Sequence, residues 1–498
     1  MSNTPAYDAL IARSRSQYHL HHLAMIAGVD RETLMPPGGA EARALALAEL
    51  QQVMHARSTD PAIADLLKAA AQEELDDEAR ADMREMTRGY TLATALPAEL
   101  VEAKGLAASR CEYEWRAQRQ ANDWAAYLPN FREVLRLSRE EATRLSDALG
   151  LSPYDALLET FEPGMRGAEV SRVFGAMRGW LPGLIAQIRD KQAKESVIEP
   201  VGPFAFEAQR ALVREMAEAL GFDFTRGRLD ESTHPFSGGV PEDVRMTTRF
   251  REDDFSVALF STIHETGHSR YEQGSPRGWL GRPIGTWRSM GIHESQSLAF
   301  EMQLARSQGF LERLAPRLVH HFGAQRAFEP ENWVRAATRV VAGKIRVDAD
   351  EATYPCHVML RFDIERALIA GEMQAEDLPA AWDEGMRDLL GIDTRGDYRD
   401  GCMQDPHWAG GAFGYFPCYT LGALYAAQWF ATIRRATPDL DARIAAGDYA
   451  PVFDWLGANI WSQASRWTTP ELVQRASGEA LNPEHFRRHL QARYLTSS

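Results

Sequence analysis

The chain has 498 residues, 45% hydrophobic and 25% charged, an ordinary globular balance that excludes a disordered or fibrous polypeptide. Lys and Arg number 55 against 70 Asp and Glu, and the net charge of -15 argues against nucleic acid or an anionic membrane as the main partner. Scattered cysteines without a CxxC pair, no signal-peptide pattern over residues 1–10, and no run near the ~18 apolar residues of a membrane span together lead us to expect a reduced, soluble, cytoplasmic protein.

In chain order, the Gly/Pro cluster at 35–39 marks a turn, and Leu47, Leu50 and Met54 then follow the spacing of one buried helix face. Residues 72–86 are charged almost all round and predict a solvated helix. Further turns are expected at 162–164, 199–203 and 274–285. Leu212, Met216 and Leu220 repeat the helical spacing, with Gly221 placed to cap it. Residues 243–250 alternate, Val244, Met246, Thr248 and Phe250 against Arg245, Thr247 and Arg249, which predicts a short half-buried strand. Phe255, Leu259 and Ile263 open the next helix with an apolar stripe. No composition shift or fixed-period repeat divides the chain. The expected architecture is therefore mainly α, one large domain over residues 1–498 with a small β-sheet.

The helix after the strand carries His264-Glu265-Thr266-Gly267-His268, an HExxH. Residues four apart share a helix face, so both imidazoles can reach one metal ion while Glu265 sits beside its open position. A third ligand is available in His293-Glu294-Ser295-Gln296, past a Gly/Pro-rich turn and at the head of another helical pattern (Leu298, Phe300, Met302). Two His and a Glu from the next helix form the ligand set of thermolysin-like zinc peptidases. Zn²⁺ is the expected cofactor, although Co²⁺ and Mn²⁺ accept the same ligands.

Six segments in order make the chain resemble the carboxypeptidase Taq family of metallocarboxypeptidases. They are His234-Pro235-Phe236, Asp243 to Thr247 (DVRMT), the HExxH, the HESQ at 293–296, Ile345 to Asp350 (IRVDAD) and Gly401 to Trp408 (GCMQDPHW), with a seventh similar stretch at 30–39. The resemblance implies a helical domain with a long groove over the metal, its N-terminal part (roughly residues 1–200) covering the groove, and usually a homodimer. By the same resemblance His264, His268 and Glu294 bind zinc and Glu265 is the general base. Arg346 and Arg245 are the candidates for gripping a substrate carboxylate, since a guanidinium does so bidentately. Arg346 is preferred, as helix-borne rather than on an edge strand. His234 is a candidate substrate contact. Residues 405–419 (DPHWAGGAFGYFPCY) also resemble the corresponding segment of neurolysin-type oligopeptidases, which makes His407 and Tyr419 the donors to the reaction's oxyanion, with Tyr415 competing. Asp350 and Glu351 are candidates to orient the ligand histidines, and Trp279, Trp287 and Trp408 could line the groove. The implied activity is broad-specificity release of C-terminal residues from peptides with a free C-terminal carboxylate. A zinc oligopeptidase is the rival enzyme, and a helical binding protein with an inert metal site the rival of another class.

Overall fold

Helical periodicity carries through to the computed structural model, which describes residues 3–496: helices follow one another from Pro5–Thr33 to Glu484–Tyr494, interrupted by a three-stranded sheet. The first helix lies along the second, Ala40–Ser58. There Leu47, Leu50 and Met54 share a face as expected but are only half-buried, and no residue of that helix is fully buried. The 3–4 spacing shows which side packs; it does not show how deeply.

The charged stretch at 72–86 corrects the sequence reading. Its helix, Asp77–Ala95, starts on an Asp76 cap and buries Asp82 completely. The Asp82 carboxylate accepts from the Tyr7 hydroxyl (2.7 Å), Arg282 Nε (2.9 Å) and the Ile284 N–H (2.9 Å). Glu85 accepts both arms of Arg288 at 2.7 and 3.0 Å; burial acts to raise its pKa, but Arg288, Arg88 and Arg84 bring it down to about 2. Arg282, Ile284 and Arg288 lie about 200 residues downstream, so local spacing displays the charge and hides the pairing that lets it be buried. Together with Ser14 Oγ donating to the Gly281 carbonyl (2.8 Å), they fasten the N-terminal helices to the loop before Glu294.

Strands β1 (Gly227–Glu231), β2 (Ser237–Val240) and β3 (Asp243–Thr248) are ordered β1-β3-β2, parallel and then antiparallel. The alternating segment is thus the central strand, two residues shorter than expected, and Arg245 is not on an edge. Val244 and Met246 pack with Ala217 and Phe222 in a small cluster beneath the sheet. Thr247, expected on the open face, is buried as well, its hydroxyl taken up by Ser232 Oγ (2.7 Å) and the Phe236 N–H (3.1 Å).

The central helix, Phe255–Gly274, begins on Asp254, whose carboxylate accepts the Ser256 N–H at 2.9 Å. Phe255, Leu259 and Ile263 are buried as the stripe requires, each contributing ~1.5–3 kcal/mol. They belong to a continuous core running from Cys111 to Tyr494. Two glycines set how closely the site-bearing helices approach. A Cβ on Gly267 would stand 2.4 Å from the Gln296 carbonyl oxygen, so helix Met290–Leu298 can press against the central helix only at a glycine. A Cβ on Gly422, in helix Pro417–Ala436, would stand 2.7 Å from Glu294 Cγ. All four cysteines are unpaired and buried, and no helix of the described residues is long and apolar enough to cross a membrane.

Candidate active site

His264 and His268 stand one turn apart on the central helix, and Glu294 comes from Met290–Leu298, which starts on the Ser289 cap. His264 Nε2 and His268 Nε2 face Glu294 Oε2 at 3.7 and 3.3 Å, and the three donor atoms lie within 4.8 Å of one another. Burial acts to raise Glu294, but His264 and His268 draw it down to about 2. For His264, burial is overridden by Glu294, Glu301 and Glu265, and its pKa rises to about 10; His268 moves down, through burial and the neighbouring His293. Two imidazoles and an ionised carboxylate converging in a buried, acceptor-rich space fit a divalent cation. Glu265 is buried beside them, and among the described residues no side chain or backbone N–H donates to its carboxylate.

His264 Nδ1 lies 2.9 Å from Glu301 Oε2. A carboxylate only accepts, so Nδ1 carries a proton and Nε2 is the nitrogen left to offer a lone pair to a metal ion that displaces its proton. Asp350 and Glu351, expected in this role, are elsewhere. Asp350 accepts the N–H groups of Val341, Ala352 and Thr353, and Glu351 is bonded to His489 (2.9 Å), Arg493 (2.6 Å) and the Tyr494 hydroxyl (2.8 Å). Glu301 follows Glu294 by seven residues, two helical turns on the same face, and that repeat was a usable signal. It sits in the π-helical segment Ala299–Ala305.

Arg346 lies in a single 3₁₀ turn, Arg346–Asp348, rather than the longer helix expected. It is buried, with Nε and one terminal nitrogen on Asp405 Oδ1 (3.1 and 2.8 Å) and the other on the Tyr354 hydroxyl (2.8 Å). Arg361 closes the opposite side of Asp405 at 2.8 and 2.5 Å. The Arg346 guanidinium is 4.7 Å from the Tyr419 ring centre, so it belongs with the donor loop. Arg245 is held by Asp243 at 2.5 and 2.9 Å, and His234 is exposed, its carbonyl accepting from Ser232 Oγ at 2.7 Å.

His407 Nε2 and the Tyr419 hydroxyl are 3.1 Å apart. Tyr419 is one turn before Gly422, which touches Glu294, so it lies on the helix face that meets Glu294. Tyr415 packs on Tyr419 with ring centres 5.1 Å apart. Burial pushes Tyr419 up to about 12, with Arg346 opposing, so it keeps its proton. Burial lowers His407 to about 4 against the pull of Asp405, leaving a neutral imidazole. Trp408 is a core residue rather than a groove wall: its Nε1 donates to Glu365 at 2.9 Å. Glu365 also accepts the Gly414 N–H (3.1 Å) and the Tyr154 hydroxyl (3.0 Å), pinning both halves of the loop.

Burial lifts Glu365 to about 7 against those three donors, from an ordinary 4.5. The folded state thus holds a proton that the unfolded chain has released, and the associated stability, full below about pH 4.5, is lost as pH climbs through 7. A Glu365→Gln variant lacks this slope. Between pH 4.5 and 7.5 its stability relative to the parent should improve by about 3 kcal/mol. Thermal melts across that range check this, and parallel curves would count against it.

A family model described as Carboxypeptidase Taq (M32) metallopeptidase matches residues 9–494. The chain belongs to the carboxypeptidase Taq family. Thermostable carboxypeptidase 1 of Thermus thermophilus is 40% identical over 509 residues, with 99% of each chain covered. Carboxypeptidase 1 of Bacillus subtilis is 31% identical, with 93% of each covered. Among solved structures, Trypanosoma cruzi metallocarboxypeptidase 1 superposes with a TM-score of 0.97 at 44% identity, covering 99% of this chain and 100% of the other. The protein is accordingly a metallocarboxypeptidase acting on peptides with a divalent metal. As a Taq-family chain it carries two site features that the motif reading left without a role: Glu301 behind His264, and His293, the first residue of the HESQ segment, whose Nδ1 is 2.5 Å from His268 Nδ1.

Proposed function

We propose that this metallocarboxypeptidase uses zinc, held by His264, His268 and Glu294, to release C-terminal residues of broad type from peptides with a free carboxylate. The observation that carries this is the convergence of those three donors within 4.8 Å beside a Glu265 carboxylate that no described residue claims. When bound, zinc would lower the pKa of its water to about 7 and polarise the scissile carbonyl. Glu265 accepts the proton of the attacking water and returns it to the leaving amine. Tyr419 donates its O–H to the developing oxyanion, and His407 donates to it or steadies the Tyr419 hydroxyl. Arg346 is the stronger candidate for the substrate carboxylate, because it stands over Tyr419 and its fork has N–H bonds beyond those given to Asp405 and Tyr354. Arg245 and His234 are supporting contacts further out, toward the sheet. The N-terminal helical part, roughly residues 1–200, is read as the cover of the substrate groove. We read the chain as one catalytic domain working as a cytoplasmic homodimer.

A peptide pool sampled over time by mass spectrometry tests the reading. It should show ladders receding from the C-terminus, an amidated peptide should be cut at least tenfold more slowly than its free-acid twin, and chelator treatment followed by added Zn²⁺ should abolish and then restore the activity. Equal cleavage of the amidated twin would instead favour an oligopeptidase.

A further inference from the structure

His293 stands between two residues of the central helix. Its Nδ1 is 2.5 Å from His268 Nδ1 and its Nε2 is 3.2 Å from Glu272 Oε1. His268 and Glu272 are four apart and share a helix face, and the His293 ring spans them from the neighbouring helix. The ring is boxed edge-on by Trp287, with centres 5.3 Å apart, and at a tilt by Tyr271 at 5.5 Å, and the side chains of His293 and Glu272 are only 12% and 9% exposed. The contacts leave little choice of tautomer. Glu272 accepts only, so His293 carries its proton on Nε2 and turns a bare Nδ1 toward His268. That nitrogen can only accept, so His268 places its own proton on Nδ1 and keeps a lone pair on Nε2, the atom facing Glu294. His264 reaches the same state through Glu301 directly. For His268, an imidazole is interposed between ligand and carboxylate.

We propose that His293 and Glu272 are positioning residues that fix the tautomer and ring orientation of His268 for metal binding; this rests on the ligand set proposed above. The structure thus gives a role to the leading His of the HESQ segment, which is not itself among the three converging donors.

The test loads apo-protein with Zn²⁺ in competition with a chromophoric chelator, and with Co²⁺ to read the visible absorption bands. Parent, His293→Ala, His293→Asn, Glu272→Met and His268→Ala are compared, with melts of the apo forms as a check on folding. His293→Ala should bind Zn²⁺ about 10–100-fold more weakly and shift the Co²⁺ bands. His293→Asn, whose side-chain oxygen can still accept from His268, should recover most of both. Glu272→Met should weaken binding about tenfold through an intact His293. The proposal falls if His293→Ala binds as tightly as the parent, or if His293→Asn does no better than His293→Ala. Should His293→Ala fail to fold, Glu272→Met decides, and parental affinity there overturns it. If His268→Ala keeps parental affinity, the ligand set itself is wrong; if only His268→Ala loses metal, the ligand set stands and this inference alone fails.

Discussion

Glu265→Gln is expected to keep its metal and its stability while losing peptide hydrolysis by on the order of 10²–10⁴-fold. The substitution preserves shape, and since no described residue donates to the Glu265 carboxylate, it breaks no bond that holds the fold together. What it removes is proton affinity, because an amide oxygen cannot take the proton that the attacking water must lose. A group that acts only as the transition state forms affects kcat and leaves substrate binding nearly unchanged, so KM should move by less than about threefold. Metal content, melting temperature and steady-state kinetics on one free-acid peptide check the three parts separately. Residual activity within tenfold of the parent would move the general base elsewhere. Loss of metal in the variant would make Glu265 a ligand rather than a base.

The contrast between what the sequence displayed and what it hid follows from the range of the interactions. His264, Glu265 and His268 were legible because the helical period alone decides which side chains share a face, and the stripe of Phe255, Leu259 and Ile263 said that the helix was buried. Glu294 was legible as the acid on the next helix. Tyr419 and His407 were found through resemblance, since nothing in their local spacing says that the hydroxyl and the imidazole meet at 3.1 Å. Asp82 and Glu85 read as solvated, and Glu351 as available to the ligands, because their partners come from distant chain: Arg282, Arg288, Arg493 and Tyr494. Asp350 is taken up close by instead, by the N–H groups of Val341, Ala352 and Thr353. Arg245 is on the central strand, which its own sequence does not show, because pairing order within a sheet is not written in the alternation of one strand. His293 is hidden for the same kind of reason: it is next to Glu294 in sequence, but its ring meets His268, 25 residues upstream.

Asp405→Asn should be the most damaging single change to the fold near the site. The carboxylate is gripped on both sides, Oδ1 by Arg346 and Oδ2 by Arg361, with two N–H bonds reaching each oxygen at 2.5–3.1 Å. All three side chains are almost fully buried. An asparagine would set an NH₂ against one of the two forks and leave two buried guanidinium groups without a counter-charge. Removing one partner of a buried pair costs about 3–5 kcal/mol, a large share of the 5–15 kcal/mol that ordinarily separates folded from unfolded chain. The pH dependence distinguishes this from simple misfit. Burial works to raise Asp405, but Arg361 and Arg346 hold it far below the usual carboxylate range. A depressed acid contributes its full stability above the unfolded pKa of about 4 and loses it only as pH falls further. The gap between parent and variant in urea unfolding should therefore stay flat from pH 5 to 8 and narrow below about pH 4. A gap under 1 kcal/mol at pH 7 would refute the ion triad as a structural element, and a gap that changed between pH 5 and 8 would show that a different group carries it. The functional cost should accompany the structural one. Arg346 stands over the Tyr419 ring, so freeing it from Asp405 would displace the proposed hydroxyl donor and the proposed carboxylate grip together, and even the fraction that folds should show a higher KM for free-acid peptides and a lower kcat.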